Sequence, residues 1–190
     1  MNKKCNICNS STNKLIFSYN KPDNYEITFL KKNSDVKRFW FECLHCGNFF
    51  SKADYKINLQ KFYKKNYRSK KNNFRKNSAK NIFERIISLP KKESECSERL
   101  NRIKKFVNKF FPDSSIFSKV LDVGGASGVF AYNLLKVSDD VSIVDLSDQG
   151  NFIEEYGIKY IQSSYETHNG KNYSLVTANF VMEHLDEPNK

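Results

Sequence analysis

The chain has 190 residues, with 32 Lys+Arg against 21 Asp+Glu, a formal net charge of +11, and 39% hydrophobic residues. That length suits one ordinary domain plus a small one. No run of about 18 apolar residues occurs, which excludes a membrane-spanning helix, and "MNKKCNICNSSTNK" lacks the apolar core of a secretory signal. A cytoplasmic location is therefore expected, where cysteines serve as metal ligands or free thiols and not as disulfides.

The first 52 residues are strand-like, since "LIFSY", "YEITFL" and "VKRFWFEC" are rich in aromatic and β-branched residues. The same segment holds two C-x-x-C pairs, Cys5 with Cys8 and Cys43 with Cys46. Two thiolates at this spacing fit one tight turn, and two such turns complete a tetrahedron for zinc at sulfur distances of about 2.3 Å. Gly47 permits the reversal after the second pair. A zinc site leads over a redox or iron site and over free thiols. Four thiolates leave no open position, so the ion would be structural and not catalytic. His45 reads as an exposed knuckle residue, and Cys96, with no nearby partner, as a small buried side chain.

Residues 53–111 read as a helical connector. Ile82, Phe83, Ile86 and Ile87 form one apolar stripe, and Leu100, Ile103, Val107 and Phe110 another, at spacings of three and four. Ser94 or Ser97 caps the second helix and Pro112 stops it. Charge divides the chain in the same region. Residues 1–110 hold 27 Lys+Arg and 9 Asp+Glu, whereas residues 111–190 hold 5 and 12. A basic half is a footprint for a polyanion, nucleic acid first, but a Lys/Asn-rich stretch such as "YKKNYRSKKNNFRKNSAK" reads first as a solvated surface, and charge alone identifies no partner.

From residue 112 to 190, strand and helix alternate: "KVLDVG", "VFAYNLLK", "VSIVDL", "NFIEEYG", "IKYIQ", "YSLVTANF". Alternation of this kind predicts an α/β fold with a mainly parallel sheet. In "VLDVGGASGVF" a buried strand runs into a turn of Gly124, Gly125 and Gly128, then into a helix whose N-terminus presents unpaired N–H groups. The G-x-G-x-x-G dinucleotide fingerprint fails in both frames, with Ala126 and Val129 or Ser127 and Phe130 at its second and third places, which disfavours a dehydrogenase. No G-K-[ST] follows the turn either, so a P-loop is excluded.

"VLDVGGASG" resembles the first motif of class I S-adenosylmethionine-dependent methyltransferases, an acid followed by a glycine-rich turn. Asp122, Gly124 and Gly128 match it, Gly125 lies within it, and Ala126 replaces the middle glycine, a change the turn accepts with a negative φ. Asp145 ends "VSIVD" at the tip of the second strand, where the family's acid binds both ribose hydroxyls. "YSLVTANFVMEHLDEP" is similar to the fourth-strand motif, which places Asn179 near the methionine moiety and Glu183–His184 after it. At the end of the third strand, Ser164 stands where the family often has an acid contacting adenine. Gly124, Gly125, Ala126, Gly128, Asp122, Asp145, Ser164 and Asn179 are thus the cofactor-binding set. His184 is the candidate catalytic base, although this Glu-His pair more commonly supports the loop; His168 is expected to face solvent.

The cysteine pairs, a segment like "LQKFYKKNYR" and a following helix resemble bacterial methyltransferases with an N-terminal zinc-binding domain. Some of these modify nucleotide-linked sugars, polysaccharide units or natural-product precursors. The resemblance implies a zinc-ribbon-like β module, a helical connector and a partial Rossmann-like core. It also implies methyl transfer from S-adenosylmethionine to a small molecule. RNA methylation through the basic half, or a non-enzymatic zinc-ribbon binding module, are the alternatives. The family core has seven strands, whereas four are legible here, so a truncated product with an exposed fourth strand at Val176 and Phe180 and weak activity is expected. Such an edge would also admit an oligomeric partner.

Overall fold

The structure is a computed structural model that describes residues 4–22, 27, 36–54, 78–112 and 115–185. Its chain divides into two compact units, Met1–Asn58 with Glu183–Lys190, and Leu59–Met182. Most of "YEITFL" and all of "LQKFYKKNYR" lie outside the described residues.

In the first unit, strands β1 (Asn13–Tyr19), β2 (Arg38–Cys43) and β3 (Phe49–Ala53) form an antiparallel sheet in that order. A bulge between Leu15 and Phe17 shifts the register of β1 against β2. One face presents Phe41 and Phe50, with ring centroids 5.5 Å apart, beside the buried Cys5 and Cys43. With so few apolar residues to bury, this sheet has a small core, and such modules commonly need a metal or disulfides.

The second unit begins with α1 (Ala79–Ile87) and α2 (Glu95–Phe110). The Ser78 side chain accepts from the Asn81 N–H, and of the two serines proposed for α2, Ser94 is the cap, accepting from the Ser97 N–H. Glu95 and Glu98 in the first turn of α2 and Lys109 in the last suit the helix dipole. The stripe of α2 is shorter than its spacing suggested: Leu100 and Val107 are buried, but Phe110 is 55% exposed and packs with Phe106 instead.

Parallel strands β4 (Val120–Val123), β5 (Val141–Asp145), β6 (Lys159–Gln162) and β7 (Leu175–Ala178) follow, in the spatial order β6-β5-β4-β7. Helix α3 (Val129–Leu134) links β4 to β5, and "NFIEEYG" forms a 3-10 helix, Asn151–Tyr156, before β6. Central β4 and β5 are almost wholly buried, as near-continuous apolar runs in a parallel sheet should be. Phe83 of α1 is fully buried and meets Tyr132, Phe152 and Tyr156 edge-on, joining α1 to α3 and the 3-10 helix. Val176 and Phe180, at and beyond edge strand β7, are 56% and 67% exposed. Among the described residues, no helix is long and apolar enough to cross a membrane.

Candidate functional site

The strand order reverses between β4 and β7. Chain connection leads from β4 outward through β5 to β6 and then returns to the opposite side of β4. Open parallel sheets form a crevice for ligands at such a reversal, outside the carboxyl ends of the strands. At that end lie the turn after β4, the tip of β5 and the tail of β7.

The turn is braced from below and from the side. Asp122 is 1% exposed and accepts a 2.7 Å hydrogen bond from the Thr177 hydroxyl of β7. Burial pushes its carboxyl up to about 7, against the Thr177 and Asn179 side chains, which favour the charged form. The side-chain amide nitrogen of Asn179 is itself buried and, among the described residues, meets no hydrogen-bond acceptor at full bonding distance. From the side, the Ala126 N–H donates to Asp145 Oδ2 at 2.9 Å, while Ser147 donates to Oδ1 through its N–H at 2.8 Å and its hydroxyl at 2.7 Å.

These contacts set what Asp145 can offer. A carboxylate has about four lone-pair sites, and three are engaged. One lone-pair site is left for a further donor, and a second is freed when the Ser147 hydroxyl turns away. Sequence reading pointed to Asp145 and missed Ser147, although an aspartate with a serine two residues on is the local signal for such a turn.

Ala126 differs from expectation. Its φ is +48°, so the middle position of the motif is left-handed here as well, and an alanine occupies a conformation that favours glycine. The strain is held because Gly150, in the loop after β5, presses on the turn: a Cβ on Gly150 would lie 2.4 Å from the Ala126 carbonyl oxygen. Gly128 at φ +79° caps α3, where a Cβ would meet Ile153 at 2.7 Å.

Other predicted residues fall as follows. Ser164, half-buried beyond β6, accepts from the Glu166 N–H at 3.2 Å, so its hydroxyl belongs to a local turn. Exposed His184 lies in the helical turn Met182–His184 and groups with the first unit. His168 is half-buried and shares a 3.0 Å hydrogen bond with the Tyr173 hydroxyl, in contrast to the solvent-facing role expected of it. Cys96 is half-buried against the core, and burial pushes its thiol up.

In the first unit, the sulfurs of Cys5, Cys8, Cys43 and Cys46 all lie within 4.8 Å of one another. Cys5 and Cys46 are 3.8 Å apart and Cys8 and Cys43 3.6 Å. A tetrahedral ion bonded to thiolates at about 2.3 Å requires sulfur–sulfur edges of about 3.8 Å, so the cluster fits one. Each C-x-x-C is a knuckle of the same shape: the Asn9 N–H donates to the Cys5 carbonyl and the Gly47 N–H to that of Cys43, with φ +60° at Asn9 and +73° at Gly47. Burial pushes the Cys5 thiol up, but the N–H groups of Cys8 and Ile7 and the Asn48 amide outweigh it and hold it at about 6. At Cys46 the Asn48 N–H favours the thiolate, yet burial and three facing sulfurs push it up to about 12. Four thiolates this close need a cation to coexist.

A family model described as a methyltransferase domain matches residues 96–190. No match among curated proteins was found.

Replacing Ala126 by Gly should relieve the left-handed strain and stabilise the chain by about 0.5–1 kcal/mol, net of the added freedom of the unfolded chain; a higher urea midpoint with unchanged slope would show it. For Asp122, folding raises the pKa from an unfolded value of about 3.9, so the folded state binds the proton more tightly. Stability is fully supported below about pH 4 and declines as pH rises through about 7. Asp122→Asn should flatten that part of a stability profile measured by denaturant titration from pH 4 to 8.

Proposed function

We propose, from the premise that this chain belongs to the methyltransferase domain family, that it transfers a methyl group from S-adenosylmethionine, with a structural zinc ion in its first unit. The observation that carries the donor reading is the direct bond between the turn after β4 and the carboxylate at the tip of β5. It brings a glycine-rich backbone and a carboxylate together at the strand reversal, an arrangement suited to a nucleoside ribose. When bound, the donor supplies an already activated sulfonium methyl, so the protein's contribution is alignment of donor and acceptor.

Asp145 would accept from the ribose, the Gly124–Gly128 turn would lie against the amino-acid end, Asn179 would offer its buried amide nitrogen nearby, and Ser164 would border the base. Asp122 would hold the turn from beneath. The proposed acceptor is a small molecule, such as a nucleotide-linked sugar or a polysaccharide or natural-product precursor. The excess of Lys+Arg in residues 1–110 favours RNA as a second reading, which differs in that binding would weaken steeply with salt.

Titration calorimetry with S-adenosylhomocysteine should give saturable binding that Asp145→Ala weakens at least tenfold, through loss of a charge-assisted acceptor; absence of heat with the wild-type chain would remove the donor reading. Zinc should be recovered with the purified protein, and a strong chelator should unfold the β1–β3 sheet, because structural zinc supplies folding free energy directly. Trp40 of β2 is the single tryptophan, so a red shift and loss of the Phe17–Trp40 stacking environment report on that unit alone. An unchanged emission spectrum in the chelator would argue against a structural metal.

A further inference from the structure

Helix α2 carries more aromatic surface than its packing uses. Leu100 and Val107 are buried, with Ile103 packed on the core beside them. Phe106 and Phe110, four apart and so on one row of the helix, are 56% and 55% exposed. Their ring centroids are 4.8 Å apart, and Phe111, 47% exposed, extends the cluster with its centroid 6.2 Å from that of Phe106. The Phe111 N–H donates to the Val107 carbonyl at 2.7 Å, so one helix end carries all three rings. Apolar side chains scattered singly are ordinary on a surface, whereas adjacent exposed rings mark a contact.

Charge is arranged around the same rings. Arg102 precedes Phe106 and Phe110 on their row, and Lys105 and Lys109 form the next row; all three cations are exposed. The Lys109 ammonium stands 5.1 Å from the Phe110 ring centroid, over its face. Between Glu98 and Asp113 the sequence has five cations, Arg99, Arg102, Lys104, Lys105 and Lys109, and no acid. Residues 111–190 hold 5 Lys+Arg against 12 Asp+Glu, so the basic surface of α2 is not a bias shared by the C-terminal half.

We propose that the C-terminal half of α2 seats this chain on an anionic phospholipid surface, with Phe106 and Phe110 entering the boundary between headgroups and acyl chains and Arg102, Lys105 and Lys109 facing lipid phosphates. An interfacial helix lies in the plane of the bilayer with aromatic residues on one side and Lys/Arg on the other, the order that these two rows present. One signal gives only marginal attachment, and an apolar insertion joined to a basic patch supplies two. Single-stranded RNA would use the cations but stacks its bases on open ring faces. Here the Phe106 ring is tilted by 46° to Phe110 and 50° to Phe111, and Lys109 covers a face of Phe110. Nothing in this placement depends on the methyl donor.

The test is co-sedimentation of the full chain with vesicles of phosphatidylcholine alone and of phosphatidylcholine mixed equally with phosphatidylglycerol. Each Lys or Arg near an anionic surface contributes about fivefold, so the mixed vesicles should bind about a hundredfold more tightly, and joint Lys105→Ala and Lys109→Ala replacement should lose about twentyfold. Joint Phe106→Ser and Phe110→Ser replacement should lose at least about tenfold through the apolar area withdrawn. Phe106→Trp, which keeps the aromatic bulk, should add a blue shift on mixed vesicles beyond any change in the wild-type emission, and it tests insertion even if the serine variant fails to fold. Absence of binding to mixed vesicles would overturn the proposal. So would binding that the lysine changes weaken while the serine changes and the tryptophan emission do not respond, the mark of a general polyanion site. Tighter binding of a polyuridylate strand, lost in the same variants, would assign the patch to RNA instead. A phenylalanine-dependent dimer in sedimentation velocity, without vesicle binding, would assign it to a second copy of the chain.

Discussion

The hydrogen bond from the Ala126 N–H to the Asp145 carboxylate is the constraint on which the second unit's crevice depends. It ties the turn after the central strand to the tip of the neighbouring one, so the two recognition elements move as one piece. Ser147 holds the other carboxylate oxygen through two donors, which leaves Asp145 little rotational freedom. Tyr160 of β6 then fixes the Ser147 carbonyl with a 2.9 Å bond from its hydroxyl. A chain of polar contacts therefore runs from β4 through β5 to β6 at the carboxyl ends, above an apolar interior of Ile143, Ile153 and Tyr160. Fully partnered networks of this kind rigidify what they join.

Strain is concentrated at the same end. Ala126 and Phe180 are non-glycine residues held at positive φ, one in the turn and one in the tail of β7. Neither conformation would persist without surrounding contacts that over-determine it, and such residues cluster where a ligand is clamped. For Ala126 the contacts are the Asp145 bond and the pressing Gly150 backbone; for Phe180 they include the Arg99 guanidinium.

Much of this was legible before any coordinates. Short apolar runs separated by turn residues gave the parallel strands, because a strand buried on both faces carries a continuous apolar signal. The paired C-x-x-C spacing foretold one cluster, since two residues between cysteines suffice for a knuckle. Less legible were contacts between side chains distant in sequence. Nothing in a period or a motif pairs Arg99 with Phe180, or Thr177 with Asp122, because these meetings follow from the strand order and not from local pattern. Local readings also failed where one residue decides a dihedral. Asn9 matches Gly47 in φ although only the glycine announces it, and Ala126 is left-handed although alanine predicts the opposite. His168, surrounded by polar residues in the sequence, finds Tyr173 five residues on and is partly covered by it.

Burial across the sheet explains how the site divides its tasks. β4 and β5, buried on both faces, carry Asp122, the turn and Asp145, so the glycine turn and its bracing carboxylates stand on the strands least able to change. β6 and β7 alternate buried and exposed residues, as edge strands with one solvated face do. Their carboxyl ends carry Ser164 and Asn179; Ser164 bonds only within its local turn, so a substitution there disturbs little packing. A departure from an acidic residue at Ser164 is tolerable for that reason, whereas an equivalent change at Asp145 would release both the Ala126 amide and Ser147. On the proposed donor reading, core strands would thus fix the position of the ligand, and edge strands would leave its discrimination open to variation.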